Sequence, residues 1–201
     1  MNSKELLIIF TKNPVLGTVK TRLAKDIGDE KALQVYKELL QHTCKVTAPL
    51  NFHKRVYYNQ EIPENDIWDE GNFEKKLQIS GDLGEKMNAA FAEGFRDGYE
   101  NVIIMGSDLL DISTIDIEAA FNQLKHHDYI IGPALDGGYY MLGMKTLTSK
   151  LFKNKNWSTS SVYKDTISDM QNGQIGVLPE KNDIDTLKDL QHHPHLNKII
   201  E

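Results

Sequence analysis

Continuous apolar runs alternate along the chain with stretches in which apolar residues recur every third or fourth position. Leu6–Phe10 and Val102–Met105 are too short for helices and carry no polar alternation, the pattern of strands buried on both faces of a parallel sheet. Weaker runs predict strands at Lys54–Tyr58, Leu77–Ile79, Asp128–Ile131, Tyr139–Leu142 and Gly176–Leu178. Between them lie helical patterns. Ala32, Leu33, Tyr36, Leu39, Leu40 and Thr43 share one face of a helix with Asp29 as its N-cap and Pro49 at its close. Met87, Ala90, Phe91 and Phe95 form a second such face, and Ile117, Ala120, Phe121 and Leu124 a third, opened by a capping box at Ser113 and Asp116. Val162, Thr166 and Met170 follow a Ser/Thr-rich N-terminus, and a last helix begins at Thr186. The alternation predicts an α/β fold, and the lack of repeats, long linkers or low-complexity segments predicts one domain over residues 1–201.

Composition narrows the function. The chain has 23 basic and 29 acidic residues, a formal charge of -6, which argues against a nucleic-acid-binding surface, so any anionic ligand has to be met locally. A single cysteine, Cys44, excludes an internal disulfide and reads as a small core residue, in keeping with a reducing cytoplasm. The first apolar run is too short for a signal peptide and no run spans a membrane, so a cytoplasmic protein without membrane partners is expected. Nothing in the sequence fixes an oligomeric state.

Local charge then singles out the loops. Lys12, Lys20 and Arg22 fall within eleven residues after the first strand, around Gly17. Such a cluster suits a phosphate, with glycine admitting close backbone approach and arginine clamping oxygens, although a solvated basic turn has the same composition. It is not a Walker loop, since the Gly-Lys-Thr triplet and an earlier glycine are missing. Gly106, Ser107 and Asp108 end the Val102–Met105 strand, and a carboxylate at the carboxyl end of a central strand is placed to hold a divalent cation that bridges phosphate oxygens. Gly81, Asp82 and Gly84 sit between a strand and a helix, fitting either backbone approach to a nucleotide or plain turn chemistry. Asp136 precedes Gly137 and Gly138 in a further loop. Asp183 and Asp185 alternate just before Thr186, and a helix cap explains only one of them. His126 and His127 suit the carboxyl end of their helix, Trp157 a core anchor or a pocket wall, and His192, His193 and His195 a polar tail.

Taken in order, the segments Phe10–Ala24, Gly81–Gly84, Gly106–Asp108, Gly132–Tyr140 and Trp157–Thr159 resemble the bacterial family catalogued as domain of unknown function 2064 (DUF2064), whose members are commonly called glycosyltransferases associated with radical-SAM enzymes and arsenosugar formation. The resemblance covers most of the chain and implies the nucleotide-diphospho-sugar transferase fold of GT-A type, a three-layer α/β/α sandwich with a mostly parallel, Rossmann-like sheet. Lys12, Gly17, Lys20 and Arg22 would then wrap the nucleotide phosphates, Gly81, Asp82, Gly84 and Ser107 would adjoin the nucleotide, and Asp108 would hold Mg²⁺ or Mn²⁺ with Asp185 as second ligand and Asp183 in reserve. Related sequences carry proline soon after the strand-end aspartate, where Leu109-Leu110 stands here. The implied activity is metal-dependent glycosyl transfer from a nucleoside-diphosphate sugar to a small acceptor, with Asp136 and Lys20 in catalysis. Two alternatives are nucleotidyl transfer from a nucleoside triphosphate to a phosphorylated small molecule, and a non-catalytic nucleotide-binding domain.

Overall fold

A computed structural model describes residues 4–170 and 173–200. Seven strands, β1 (Glu5–Thr11), β2 (His53–Tyr58), β3 (Glu74–Leu77), β4 (Asn101–Gly106), β5 (Tyr129–Pro133), β6 (Tyr139–Met144) and β7 (Ile175–Val177), form one sheet in the order β3-β2-β1-β4-β6-β5-β7. All adjacent pairs are parallel except those made by β6, which runs against β4 and β5. The helices are α1 (Thr21–Ile27), α2 (Asp29–Thr47), α3 (Leu83–Arg96), α4 (Thr114–Leu124), α5 (Val162–Asp169), α6 (Leu187–Gln191) and α7 (Pro194–Ile200), with a 3-10 turn at Ser149–Phe152. Among the described residues no helix is long and apolar enough to cross a membrane.

The unbroken apolar runs of β1 and β4 reflect cover on both faces. Leu7, Ile9, Ile103 and Met105 pack with Ile117 and Phe121 of α4, while Leu6, Ile8, Val102 and Ile104 face Met87 and Phe91 of α3. A third cluster joins Leu23 of α1 and Val35 and Leu39 of α2 to Ile184 and Leu190. Ile184 is fully buried there, which fixes the segment carrying Asp183 and Asp185 against the first two helices.

Several elements depart from the pattern. The third strand is Glu74–Leu77 rather than Leu77–Ile79, because its polar side chains at the sheet edge are matched by charge, Lys75 to Asp66 at 3.0 Å and Lys76 to Glu93 at 3.2 Å. Asp29 is the first residue of α2, not its N-cap; Gly28, at φ +87°, holds that position between α1 and α2. Ser161 stands at the start of α5, but its hydroxyl bonds Asp165 instead of capping the backbone. Cys44 is half-buried at the core's edge. The capping box at Ser113/Asp116 and the bond of His127 Nδ1 to the Gln123 carbonyl follow expectation, whereas α6 is capped by Thr186 with Asp189, so neither Asp183 nor Asp185 serves as its cap. His195's side chain lies outside the described residues.

Trp157 anchors α3. A Cβ on Gly84, in the first turn of that helix, would come within 2.5 Å of the Phe152 carbonyl oxygen and 2.6 Å of the indole ring. Gly84→Ala is therefore expected to destabilise the protein by about 1–3 kcal/mol through overpacking. Thermal unfolding should show a midpoint lowered by roughly 2–4 °C per kcal/mol, and an unchanged midpoint would contradict this account of Gly84.

Candidate functional site

β1 and β4 lie side by side, yet the chain continues from β1 to β2 on one side and from β4 to β5 and β6 on the other. Their carboxyl ends therefore open into a crevice at the point where strand order reverses, the usual ligand position in an open α/β sheet. A cleft of about 530 Å³ occupies it, with Lys12, Lys20, Arg22 and Lys86 as its cations and Asp108 and Asp185 as its carboxylates. The strand ends are tied together beneath it. Ser107 Oγ donates to Thr11 Oγ1 at 3.2 Å, Thr43 Oγ1 donates to the Ser107 carbonyl at 3.2 Å, and the Tyr36 hydroxyl accepts from Lys12 N at 2.9 Å while donating to the Lys12 carbonyl at 3.1 Å.

Lys20 is the hub. It adopts the left-handed conformation, φ +48° and ψ +41°, immediately before α1, a strain of about 1–2 kcal/mol for a residue with a Cβ. The turn sends its side chain inward, where it is only 4% exposed and its ammonium bonds Asp108 Oδ2 at 3.1 Å and Asp185 Oδ1 at 2.8 Å. Arg22 Nη1 approaches the other Asp185 oxygen at 3.5 Å. Burial pulls Lys20 toward the neutral amine, but the two carboxylates outweigh it and hold the ammonium charged well above the ordinary lysine range. For Asp108, burial favours the acid form, and the Lys20 charge and hydrogen bond, with Lys12 farther off, bring it below the usual carboxylate range.

Asp183 is the opposite case. Its Oδ1 is buried with no hydrogen-bond partner among the described residues. Burial, with Asp108, Asp136 and Asp185 nearby, pushes its carboxyl up to about 8 despite the opposing pull of Lys20. Asp183 and Asp185 also line a second cleft, about 700 Å³, with Asp111, Asp136, Arg22 and Lys188. Asp136 is exposed there, and its Oδ1 accepts from Gly138 N at 2.8 Å in a turn. Gly137, at φ +88°, is required because a Cβ would meet the Ser160 backbone at 2.4 Å. His192 and His193 line this cleft as well, with His193 Nδ1 3.8 Å from Asp111, so these two histidines border the site.

Of the sequence-predicted residues, Lys12, Lys20, Arg22, Ser107, Asp108 and Asp185 come together in the first cleft, and Asp136 joins Asp185 in the second. Ser107 is buried, with its hydroxyl spent on Thr11. Gly17 turns the exposed loop tip at φ +76° and does not line the cleft. Gly81, Asp82 and Gly84 do not line it either. Asp82 caps α3 reciprocally with Glu85, at 2.8 and 2.9 Å, and the glycines make room for Glu85 and Trp157. The same turn instead presents Leu83 and Lys86 to the cleft, and Lys86, with Asn59 and Gln78, escaped the sequence reading. Lys86 lies four residues after the cap and so on the same side of α3, a spacing that could have marked it. Leu109 is buried in the core beside β4 and leaves Asp108 in the cleft.

The donor set fits a hard divalent cation. Asp108 and Asp185 already share one cation in the Lys20 ammonium, and the orphaned Asp183 oxygen points to unmet positive charge nearby. Among the described residues no group of three His, Cys, Asp or Glu side chains forms a ready cage for a metal, so substrate oxygens or water would have to complete the coordination shell.

Asp183 has a consequence for pH. Its folded-state value of about 8 is above the ordinary 3.8, so the folded protein binds the extra proton between those values and stability falls as pH rises through that window. In metal-free buffer Asp183→Asn should flatten this decline and exceed the wild type in stability at pH 8, because the neutral amide avoids the cost of ionising a buried carboxyl beside Asp108, Asp136 and Asp185. Thermal unfolding from pH 5 to pH 8 checks it, and parallel curves for the two proteins would contradict the assignment.

The structure is similar to that of a "putative nucleotide-diphospho-sugar transferase" from Desulfovibrio desulfuricans G20, at 31% identity and a TM-score of 0.89 over 96% of this chain and 88% of the other. It also shares its fold with 4-diphosphocytidyl-2C-methyl-D-erythritol synthase from Anaerococcus prevotii DSM 20548, at 11% identity and a TM-score of 0.65 over 97% and 96% of the two chains. A manganese complex of Rv0371c from Mycobacterium tuberculosis H37Rv is similar at 12% identity and a TM-score of 0.58, over 96% and 98%. A comparison with curated proteins found no match. The seven-stranded, mostly parallel sheet is thus that of the nucleotide-diphospho-sugar transferase fold. A family model matches residues 42–159, and the chain belongs to that family, described as "uncharacterized protein conserved in bacteria (DUF2064)".

Proposed function

We propose that the protein is a metal-dependent transferase that takes a nucleoside-diphosphate sugar and passes its glycosyl group to a small acceptor. One observation carries this reading: four cations face the Asp108–Asp185 pair in a cleft at the sheet's switch point, in a chain whose overall charge is negative. Lys12 and Lys86 make no ion pair among the described residues, so their charge is available to a diphosphate. Asp108 and Asp185 would hold Mg²⁺ or Mn²⁺, which supplies Lewis-acid stabilisation of the diphosphate leaving group. Lys12, Lys86 and Arg22 would bind and orient the phosphates. The description of the 31% identical relative supports the same donor class.

The second cleft adjoins the first through Arg22 and Asp185, which both clefts share, and it suits the acceptor. Asp136, whose second carboxylate oxygen makes no hydrogen bond among the described residues, is placed there to orient an acceptor hydroxyl and take its proton as the glycosyl carbon leaves the diphosphate oxygen. The abundance of cations in the first cleft favours a second reading, nucleotidyl transfer from a triphosphate. That reaction brings a phosphorylated partner to the site, however, and the second cleft meets it with Asp111, Asp136, Asp185 and Asp189 against Arg22 and Lys188. Acidity there supports an uncharged acceptor and hence the glycosyl reading.

Thermal unfolding with Mg²⁺ or Mn²⁺ and a panel of nucleoside-diphosphate sugars and nucleoside triphosphates tests the choice. A matching diphosphate sugar at about 100 times its dissociation constant should add roughly 2.7 kcal/mol, raising the midpoint by about 5–10 °C. Asp108→Asn should abolish the metal-dependent part of this shift. Selective stabilisation by a triphosphate would transfer the assignment to nucleotidyl transfer, and the absence of any shift would count against both enzyme readings.

A further inference from the structure

We propose that Lys20 is a tethered counter-ion that competes with the divalent metal for Asp108 and Asp185, so that metal binds strongly only when a phosphate-bearing substrate draws the ammonium away; this rests on the metal-dependent reading above.

Three observations carry it. The Lys20 ammonium sits within hydrogen-bond distance of one oxygen from each aspartate that would ligate the metal, at 3.1 and 2.8 Å. A divalent ion on those same oxygens would lie against the ammonium, and two cations in contact in a half-buried site repel, so both do not share the pair. The placement is also built rather than incidental. Lys20 holds a left-handed backbone conformation, its side chain is 4% exposed against 61% for Arg22, and its charge reaches carboxylates 88 and 165 residues away along the chain. Finally, an alternative partner is at hand. Lys20 lines the cleft beside Lys12 and Lys86, where anionic phosphate oxygens would be received. A diphosphate would thus do two things at once, adding oxygen ligands for the metal and giving the ammonium a new counter-charge. Metal and nucleotide then bind cooperatively, and by linkage each raises the other's affinity equally. Without substrate, Lys20 keeps the aspartates paired, sparing the fold the cost of two uncompensated carboxylates in the absence of metal.

The test is Mn²⁺ titration followed by electron paramagnetic resonance on wild type and Lys20→Met, first with metal alone and then with inorganic pyrophosphate. Without pyrophosphate, Lys20→Met should bind Mn²⁺ at least about 10-fold more tightly, within the usual range of coupling between sites. Pyrophosphate should tighten Mn²⁺ binding to the wild type by more than it does for the variant. Equal Mn²⁺ affinities in the two proteins without pyrophosphate would overturn the role of Lys20 and leave the metal reading intact. Failure of both proteins to bind Mn²⁺ under either condition would overturn the metal reading, and this inference with it. Should Lys20→Met not fold, the wild type supplies a second readout, the rate at which acetic anhydride acetylates Lys20, located by mass spectrometry. Saturating Mg²⁺ should accelerate it by at least about 10-fold by freeing the amine, and pyrophosphate should then slow it again; a rate indifferent to Mg²⁺ would overturn the proposal.

Discussion

The ammonium of Lys20 is the point on which the carboxyl end of the sheet depends. It joins three segments that no secondary structure connects directly, namely the turn before α1, the end of β4 and the segment ahead of α6. Each segment is secured independently. The β1 and β4 ends are bonded through Thr11, Ser107 and Thr43, and Ile184 is buried against α1 and α2. The ion pairs therefore form between groups whose backbones are already held, so little further ordering entropy opposes them. Such preorganisation keeps the carboxylates together without an external cation.

The hydrophobic pattern made most of the fold legible because burial on both faces leaves a local signature. β1 and β4 are continuous apolar runs, and α2, α3 and α4 show one apolar face each. β3 carries no such signature, because an edge strand satisfied by Asp66 and Glu93 has no need of an apolar run. α1 went unread for a related reason: Leu23 alone of its seven residues is buried, too few to display a period. Long-range charge pairing and short docked helices escape any window that sees only neighbours in sequence.

The site was partly legible for the same reason. Asp108 announced itself at the end of a buried strand, and the Lys12–Arg22 cluster stood out against a negative chain. The glycine-rich turn at 81–84 carried an ambiguous signal, since a ligand's close approach and a tryptophan's close packing both exclude a Cβ. Trp157 and Glu85 account for the glycines here, while the turn's contribution to the cleft is the cationic Lys86. Asp136 is similar, because its turn with Gly138 and the docking of Ser160 on Gly137 explain the motif's glycines without any ligand. What they leave unexplained is the exposed carboxylate in the second cleft, and that is where a functional reading has to rest.

The two clefts differ in the sign of their charge, and the boundary between them falls on Asp185 and Arg22. On the β1 side positive side chains are in excess; on the α6 side carboxylates are. A molecule with an anionic end and a neutral end is oriented by such a gradient before any specific contact forms, its diphosphate drawn toward Lys12 and Lys86 and its sugar left facing Asp136. An acceptor bearing its own phosphate would be turned away from the same ground. On the proposed function, the field that would bind the donor would also order the ternary complex, placing the bond to be broken at the boundary marked by Asp185 and Arg22.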